Sequence, residues 1–405
     1  MINSNSERKM NILMVHNYYQ LPGGEDTVFQ NEKRLLEEHG HNVITYTRDN
    51  NEIKKYNIIQ KLLFPFSVIF NFKTYIDIIL IIKQNNIDIV HVHNTLSLIS
   101  PAVFYAAVKM KVPIVQTLHN FRMICPNGLL YRDNHICEDC INGGLFCALK
   151  HKCYRDSFFQ TLAIVLMLKI HRSMGICKRV NFICLTEFNK SKLLLINNKK
   201  QIIDEHKVFV KPNFVFDEPL NNSNDYKVKN DNSKGYYLYV GRLDRIKGID
   251  LVLEAFSKMR DKELHVIGSG RGEYIEEYSR YNNIKFLGQL SHDAVMIEMV
   301  RGRAIIFASK WYEGLPMTIV ESYRNALPVI ASDVGNAKEL VEDGVTGLHS
   351  EINNVDSLID EVNQFVKLDV DEMKNNARNE YISKYNERIG YKNLINIYSD
   401  IAKNH

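Results

Sequence analysis

One alternation, run twice, restricts the fold more than any other feature of this chain. Met10–Asn17 is an apolar, strand-like run, followed by the loop YYQLPGGED, a helix-compatible stretch Thr27–His39 capped by Asp26, and a second strand His41–Thr47. Ile87–Asn94, Val112–Asn120 and Val208–Val215 repeat the strand signal, and Cys184–Lys190 reads as a strand end entering a helix. A polar, turn-rich stretch, Asp217–Gly235, breaks the pattern. It then restarts with strands ending near Val240, Ile267, Gly288 and Ser309, and with LPVIASDV after them. Strands that alternate with helices form parallel sheets covered on both faces. A chain of 405 residues is too long for one ordinary core, so two domains of roughly 200 residues each fit. The predicted fold class is therefore α/β, with two Rossmann-like doubly wound domains facing across a cleft. Residues 1–216 form the first domain, 217–234 the linker and 235–385 the second domain, and 386–405 form a terminal helix.

Composition narrows the function classes. Apolar residues at 45% and charged residues at 24% suit a soluble globular enzyme. A net charge of +4 is too small to argue for nucleic acid. No run of eighteen uninterrupted apolar residues occurs, so no transmembrane helix is expected, and the short apolar run near Met10 is not a signal peptide. The expected location is cytoplasmic. Two apolar stretches, Ile58–Ile82 and Leu162–Leu168, are interrupted or flanked by polar residues; they read either as buried helices or as helices lying on a membrane surface.

The second half carries the densest chemistry. The stretch WYEGLPMTIVE, Trp311–Glu321, follows the apolar run RAIIFAS and has Pro316 where a helix would begin. Gly314 lies in the loop, and the amides of Leu315, Met317 and Thr318 gather at a helix N-terminus, which favours an anion. Glu313 and Glu321 are two helical turns apart, so one carboxylate can meet a ligand's reacting end and the other a distant hydroxyl. By that spacing alone, a capped surface helix is the commoner reading. Arg242 and Lys247 add two cations on a glycine-bearing loop, suited to a diphosphate, and Gly268 sits in a second glycine loop. If strand order brings the Arg242–Lys247 loop beside Glu313, the set fits a nucleoside diphosphate leaving group.

Five of the seven cysteines fall between Cys125 and Cys153. Cys137 and Cys140 have the spacing of a thiolate knuckle, and their neighbours could complete a structural zinc site, with reduced thiols as the alternative. Asp369-Val370-Asp371 reads as a helix cap rather than a metal–diphosphate motif.

These motifs together resemble the retaining glycosyltransferases of family 4 (group 1) and their two-domain GT-B architecture. The matching residues are Gly23–Gly24, His119, GRLDRIKG at Gly241–Gly248, IGSG at Ile267–Gly270, Glu313–Glu321, and Ala331–Leu348. The resemblance implies that Arg242 and Lys247 hold a donor diphosphate and Glu321 its ribose. Glu313 and His119 lie against the donor sugar, and the Gly23–Gly24 loop closes near the phosphates. It also implies that the C-terminal helix returns to the first domain. Asn336 departs from the pattern, standing where relatives commonly carry glycine. The stretch from residue 121 to 155 resembles a cysteine-bearing subset in which Cys125, Cys137, Cys140 and Cys153 match and Cys147 has no counterpart.

The implied donor is a nucleotide-diphosphate sugar, with UDP or GDP the expected carriers and no cofactor needed for catalysis. The implied acceptor is a glycan, lipid-linked, in bacterial surface polysaccharide synthesis, which would place the protein at the inner face of the cell membrane. A non-catalytic GT-B subunit, or a related epimerase or phosphorylase, is the alternative. Nucleic acid is not an expected partner.

Overall fold

The computed structural model describes residues 8–20, 23–198, 200–218 and 235–404. Almost all of the expected linker lies outside these residues. The described chain divides into two compact units.

Unit 1 comprises residues up to Leu130, Cys137–Asn213, and Gly390 onward. Its strands are β1 (Asn11–Tyr18), β2 (Asn42–Asp49), β3 (Ile89–Val92) and β4 (Ile114–Leu118); a short hairpin, β5 (Tyr131–Arg132) and β6 (His135–Ile136), belongs to unit 2, and β7 (Asn181–Cys184) and β8 (Val208–Val210) complete the set. Its helices are α1 (Gly24–Glu38), α2 (Ile58–Ile69), α3 (Phe72–Asn85), α4 (Ala102–Lys109), α5 (Asp139–Asn142), α6 (Cys147–Lys150), α7 (Phe158–Ser173) and α8 (Glu187–Leu194). The parallel sheet runs β2-β1-β3-β4-β7-β8. Its central strands β1, β3 and β4 are rich in buried Ile, Val and Leu because both faces are covered, with His16, His91 and Gln116 among them. β8 stops at Val210, short of the expected Val215, because Pro212 soon follows and has no N–H for the ladder. Helix α1 begins at Gly24, so Asp26 is not its N-cap. It sits in the first turn, and its carboxylate accepts a hydrogen bond from Gly23 N–H at 2.9 Å.

Unit 2 holds β9 (Tyr237–Val240), β10 (Leu264–Ile267), β11 (Ile284–Gly288), β12 (Ala304–Phe307), β13 (Val329–Ser332) and β14 (Gly347–Ser350), with α9 (Ile249–Lys258), α10 (Gly272–Tyr278), α11 (His292–Arg301), α12 (Met317–Arg324), α13 (Gly335–Leu340), α14 (Val355–Phe365) and α15 (Val370–Lys384). The parallel order is β11-β10-β9-β12-β13-β14. The direction of winding reverses between β9 and β12, and such a switch point opens a crevice at the carboxyl ends of the strands. Asp369 caps α15 by accepting from Glu372 N–H at 3.0 Å.

The last helix, α16 (Glu387–Lys403), belongs to unit 1 from Gly390 onward. There Tyr391 stacks on His39 with ring centroids 3.6 Å apart, and Tyr398 Oη meets His91 Nδ1 at 2.7 Å.

Candidate functional site

The sequence left one condition open, and strand pairing meets it. β9 and β12 are hydrogen-bonded neighbours, so the loop after Val240 and the loop after Phe307 emerge side by side. They pack closely. Lys310 N–H donates to Ile246 O at 3.0 Å, and a Cβ on Gly248 (φ +75°) would come within 1.9 Å of Ala308 O. Only glycine fits there. The same holds at Gly268 (φ +141°), where a Cβ would meet Gly241 O at 1.9 Å, so the IGSG loop lies tight against the GRLDRIKG loop.

Glu313 is buried at this junction. Three donors converge on its Oε1: Lys247 Nζ at 2.6 Å, Ser309 Oγ at 2.7 Å and Trp311 Nε1 at 2.8 Å. The Lys247 ammonium also lies 5.4 Å from the centre of the Trp311 ring. Arg242 is exposed on the same loop, and Tyr239 Oη donates to its carbonyl at 2.8 Å, fixing the backbone there. Lys310 takes a different role, pairing with Asp250 at 2.8 Å.

Asn336 was read from sequence only as a departure from pattern. It is fully buried, and its Nδ2 donates to Glu313 O at 2.6 Å and to Gly314 O. A side chain from α13 thus ties down the backbone that presents Glu313, a contact no local signal announces. Pro316 occupies the N-cap position of α12, so the helix proper starts at Met317, and the amides of Met317 and Thr318 lie in its first turn. Leu315 is buried beside them. Glu321 lies within α12; burial pushes its carboxyl up to about 7, against the pull of Arg324.

In unit 1, β1, β3 and β4 deliver histidines to one place. His119 Nε2 lies 3.1 Å from His93 Nδ1, and His93 Nε2 lies 3.3 Å from Glu32 Oε2. Glu32 pairs with Lys211 at 2.7 Å, with both side chains fully buried. Burial alone would raise the Glu32 carboxyl, but the Lys211 ammonium and His93 hold it well below the usual range. Burial keeps His119 neutral by lowering its pKa well below the ordinary histidine value. Glu32, His91 and His93 bring their ligand atoms within 4.8 Å of one another, as do His16, Glu25 and Asp26. Lys211 already supplies the cation beside Glu32. Glu32 and Lys211 were missed by the sequence reading; their signal, charge inside otherwise apolar segments, is not specific. Gly23 has an extended backbone (φ −132°), and a Cβ there would meet nothing within 4 Å, so neither strain nor packing in this protein demands glycine.

The cysteines form no disulfide, and Cys125 is buried. Burial pushes the Cys140 thiol up to about 12, reinforced in turn by Cys125, Cys153, Cys147 and Cys137, but no cysteine is among the described groups whose ligand atoms lie within 4.8 Å of one another. Cys147 Sγ lies where a Cβ on Gly143 would meet it at 2.7 Å.

Comparison with known proteins agrees with this geometry. Residues 222–384 match the family model of group 1 glycosyl transferases, and residues 22–135 match that of glycosyltransferase family 4. The chain is 31% identical over 147 residues to the O-antigen biosynthesis glycosyltransferase WbnH of Escherichia coli, covering 35% of this chain and 39% of that one. The matches span half or less of the length of the first curated relatives. A crystal structure of a glycosyltransferase from Rickettsia africae superposes with a TM-score of 0.68 at 21% identity, covering 98% of this chain and all of the other. Anabaena Alr3699/HepE in complex with UDP superposes with a TM-score of 0.63 at 16% identity, covering 98% and 99%. The fold is GT-B. With both family models matched across its two halves, the chain belongs to the group 1, family 4 glycosyltransferases.

Proposed function

We propose that this protein is a retaining glycosyltransferase that moves a sugar from a nucleotide-diphosphate sugar to a lipid-linked glycan acceptor in bacterial surface polysaccharide synthesis. The observation that carries the reading is the Lys247–Glu313 pair at the β9/β12 switch point, 2.6 Å apart and beside the first turn of α12. Arg242, Lys247 and the α12 amides stabilise negative charge as the diphosphate departs. Gly268 and Gly314 let the backbone approach the donor. Glu321 accepts from the ribose hydroxyls, and Glu313 faces the sugar. UDP is the first carrier to test, since the Anabaena structure holds it.

A lipid acceptor and peripheral membrane attachment draw support from the surface of unit 1. Among the described residues, every exposed large hydrophobic side chain except Ile275, Val366 and Ile382 lies between Ile58 and Met174. These include Ile58, Leu62 and Phe66 on α2, Phe72 and Ile76 on α3, and Phe159 on α7. Of the two readings left open for the apolar stretches, the exposed side chains favour a surface face for Ile58–Ile82, whereas Leu162–Leu168 is buried apart from Leu166 and the half-buried Leu162. Asp77 is the lone acid in α2, α3 and α7, and Lys73 pairs with it at 2.6 Å. No single described helix is long and apolar enough to cross a membrane; α2 and α3 qualify only together, bent by 58°. An apolar face with few acids suits an anionic lipid surface. A structural zinc on Cys125, Cys137, Cys140 and Cys153 belongs to the same proposal and rests on the Cys137-x2-Cys140 spacing.

The test is transfer from labelled UDP and GDP sugars to a bacterial lipid extract, with the new anomeric linkage read by NMR. A product of retained configuration, formed only with the lipid extract, supports the proposal. Release of sugar phosphate, or epimerised donor without acceptor, would replace it with the phosphorylase or epimerase reading.

A further inference from the structure

Unit 1 encloses a cavity of about 70 Å³, walled by α7 on one side and by the ends of β3 and β4 on the other. Arg122 and Arg172 both line it, and its lining residues include no carboxylate. The Nε atoms of both arginines are buried without a hydrogen-bond partner, and so is Gln116 Oε1 in the same wall. The remaining contacts of the guanidiniums are to neutral acceptors: Arg122 reaches Tyr19 Oη at 3.0 Å and Asn127 O at 3.4 Å, and Arg172 reaches Met123 O. These bonds orient the two forks and leave their charge uncompensated. Glu25 acts on Arg122 electrostatically, but burial raises its carboxyl well above the ordinary carboxylate range, which favours its neutral form. A buried cation without an anion is costly, and a pair of guanidiniums matches phosphate geometry.

We propose that this cavity receives one phosphoryl group of the phosphate or diphosphate carried by the lipid of the acceptor. A water occupies about 30 Å³ of liquid, so the cavity has room for about one phosphoryl group. The lipid source is argued from α7, which has two working faces. Met167, Leu168, His171 and Arg172 line the cavity, while Phe159, Leu166, Ile170 and Met174 are exposed on the outside. The helix also packs on α2 through the cluster that contains Val68, Leu96 and Met167. A headgroup held between the arginines would therefore leave its hydrocarbon beside the apolar exterior. This inference rests on the membrane-acceptor reading above.

The experiment titrates the full chain, saturated with UDP, with farnesyl diphosphate below its micelle concentration and separately with inorganic pyrophosphate. Wild type should bind farnesyl diphosphate. Arg172→Gln and Arg122→Gln should each weaken that binding roughly tenfold or more, the loss expected for one charge-assisted partner, with UDP affinity unchanged. If Arg172→Gln does not fold, Arg172→Lys keeps the charge without the fork and should still lose affinity. Pyrophosphate binding as tightly as farnesyl diphosphate overturns the lipid source. Wild type that binds UDP but neither probe, or arginine variants that bind farnesyl diphosphate like wild type, overturns the cavity assignment and leaves the transferase reading intact. Binding of farnesyl diphosphate without binding of UDP strikes the transferase reading instead.

Discussion

The ammonium of Lys247 stands 2.6 Å from Glu313 Oε1, although the two residues lie on different strand-end loops and are joined only because β9 and β12 are neighbours. The pair makes a small electrostatic unit, in which the buried carboxylate fixes where the cation points. Removing Lys247 should do more than delete a charge, since Glu313 would keep only its neutral donors Ser309 and Trp311. Lys247→Ala is expected to lower kcat by roughly 10²- to 10³-fold, the range for losing one preorganised stabiliser of transition-state charge. Steady-state kinetics on folded protein check this; an unchanged kcat would remove Lys247 from the leaving-group site.

Glu321 supplies a pH test. Its carboxyl is pushed up to about 7 in the folded protein, so it is about half protonated at neutral pH. Ribose hydroxyls donate to the ionised form, and donor binding should therefore release a proton and tighten as pH rises through 7. Stability moves the opposite way: the folded state binds the extra proton, so this group's contribution falls as pH rises from the ordinary carboxylate range through about 7. UDP affinity measured from pH 6 to 8 should show the rise in wild type and lose that component in Glu321→Gln. Identical profiles would contradict the ribose role.

The Glu32–Lys211 pair anchors His93 and, through it, His119. Both charges are fully buried, so Lys211→Met should destabilise unit 1 by about 3–5 kcal/mol, the cost of leaving one buried charge alone. Denaturant unfolding measures it. The double variant Glu32→Gln, Lys211→Met should recover part of that loss.

Much of the fold was legible because its signals are local. Strand–loop–helix alternation, the glycines at Gly248 and Gly268, and the spacing from Glu313 to Glu321 all occupy short windows. What was illegible depends on distance or on what covers a surface. Asn336 reaches back 23 residues to hold the Glu313 carbonyl, and nothing in NAKEL signals it. Glu32 and Lys211 meet only after the sheet is assembled. In sequence, the apolar residues of α2 are open to two readings, core or membrane face, because a hydropathic pattern cannot tell a protein neighbour from solvent or lipid. Asp26 read as a cap from residue type alone, yet the helix starts before it and uses it to hold Gly23.

The Cys137-x2-Cys140 spacing predicts about one zinc per chain. Elemental analysis of reduced, chelator-free protein checks it, and Cys140→Ser should abolish the metal. Metal-free protein with a normal melting temperature would assign the thiols to packing.

The central claim is a nucleoside-diphosphate site at the β9/β12 switch point, and calorimetric titration with UDP and GDP, with and without EDTA, tests it most directly. Selective binding of one nucleotide that survives EDTA and weakens by roughly tenfold or more in Arg242→Ala, the loss of a charge-assisted hydrogen-bond partner, is the predicted result. Folded wild-type protein that binds neither, or an Arg242→Ala variant with unchanged affinity, would contradict it.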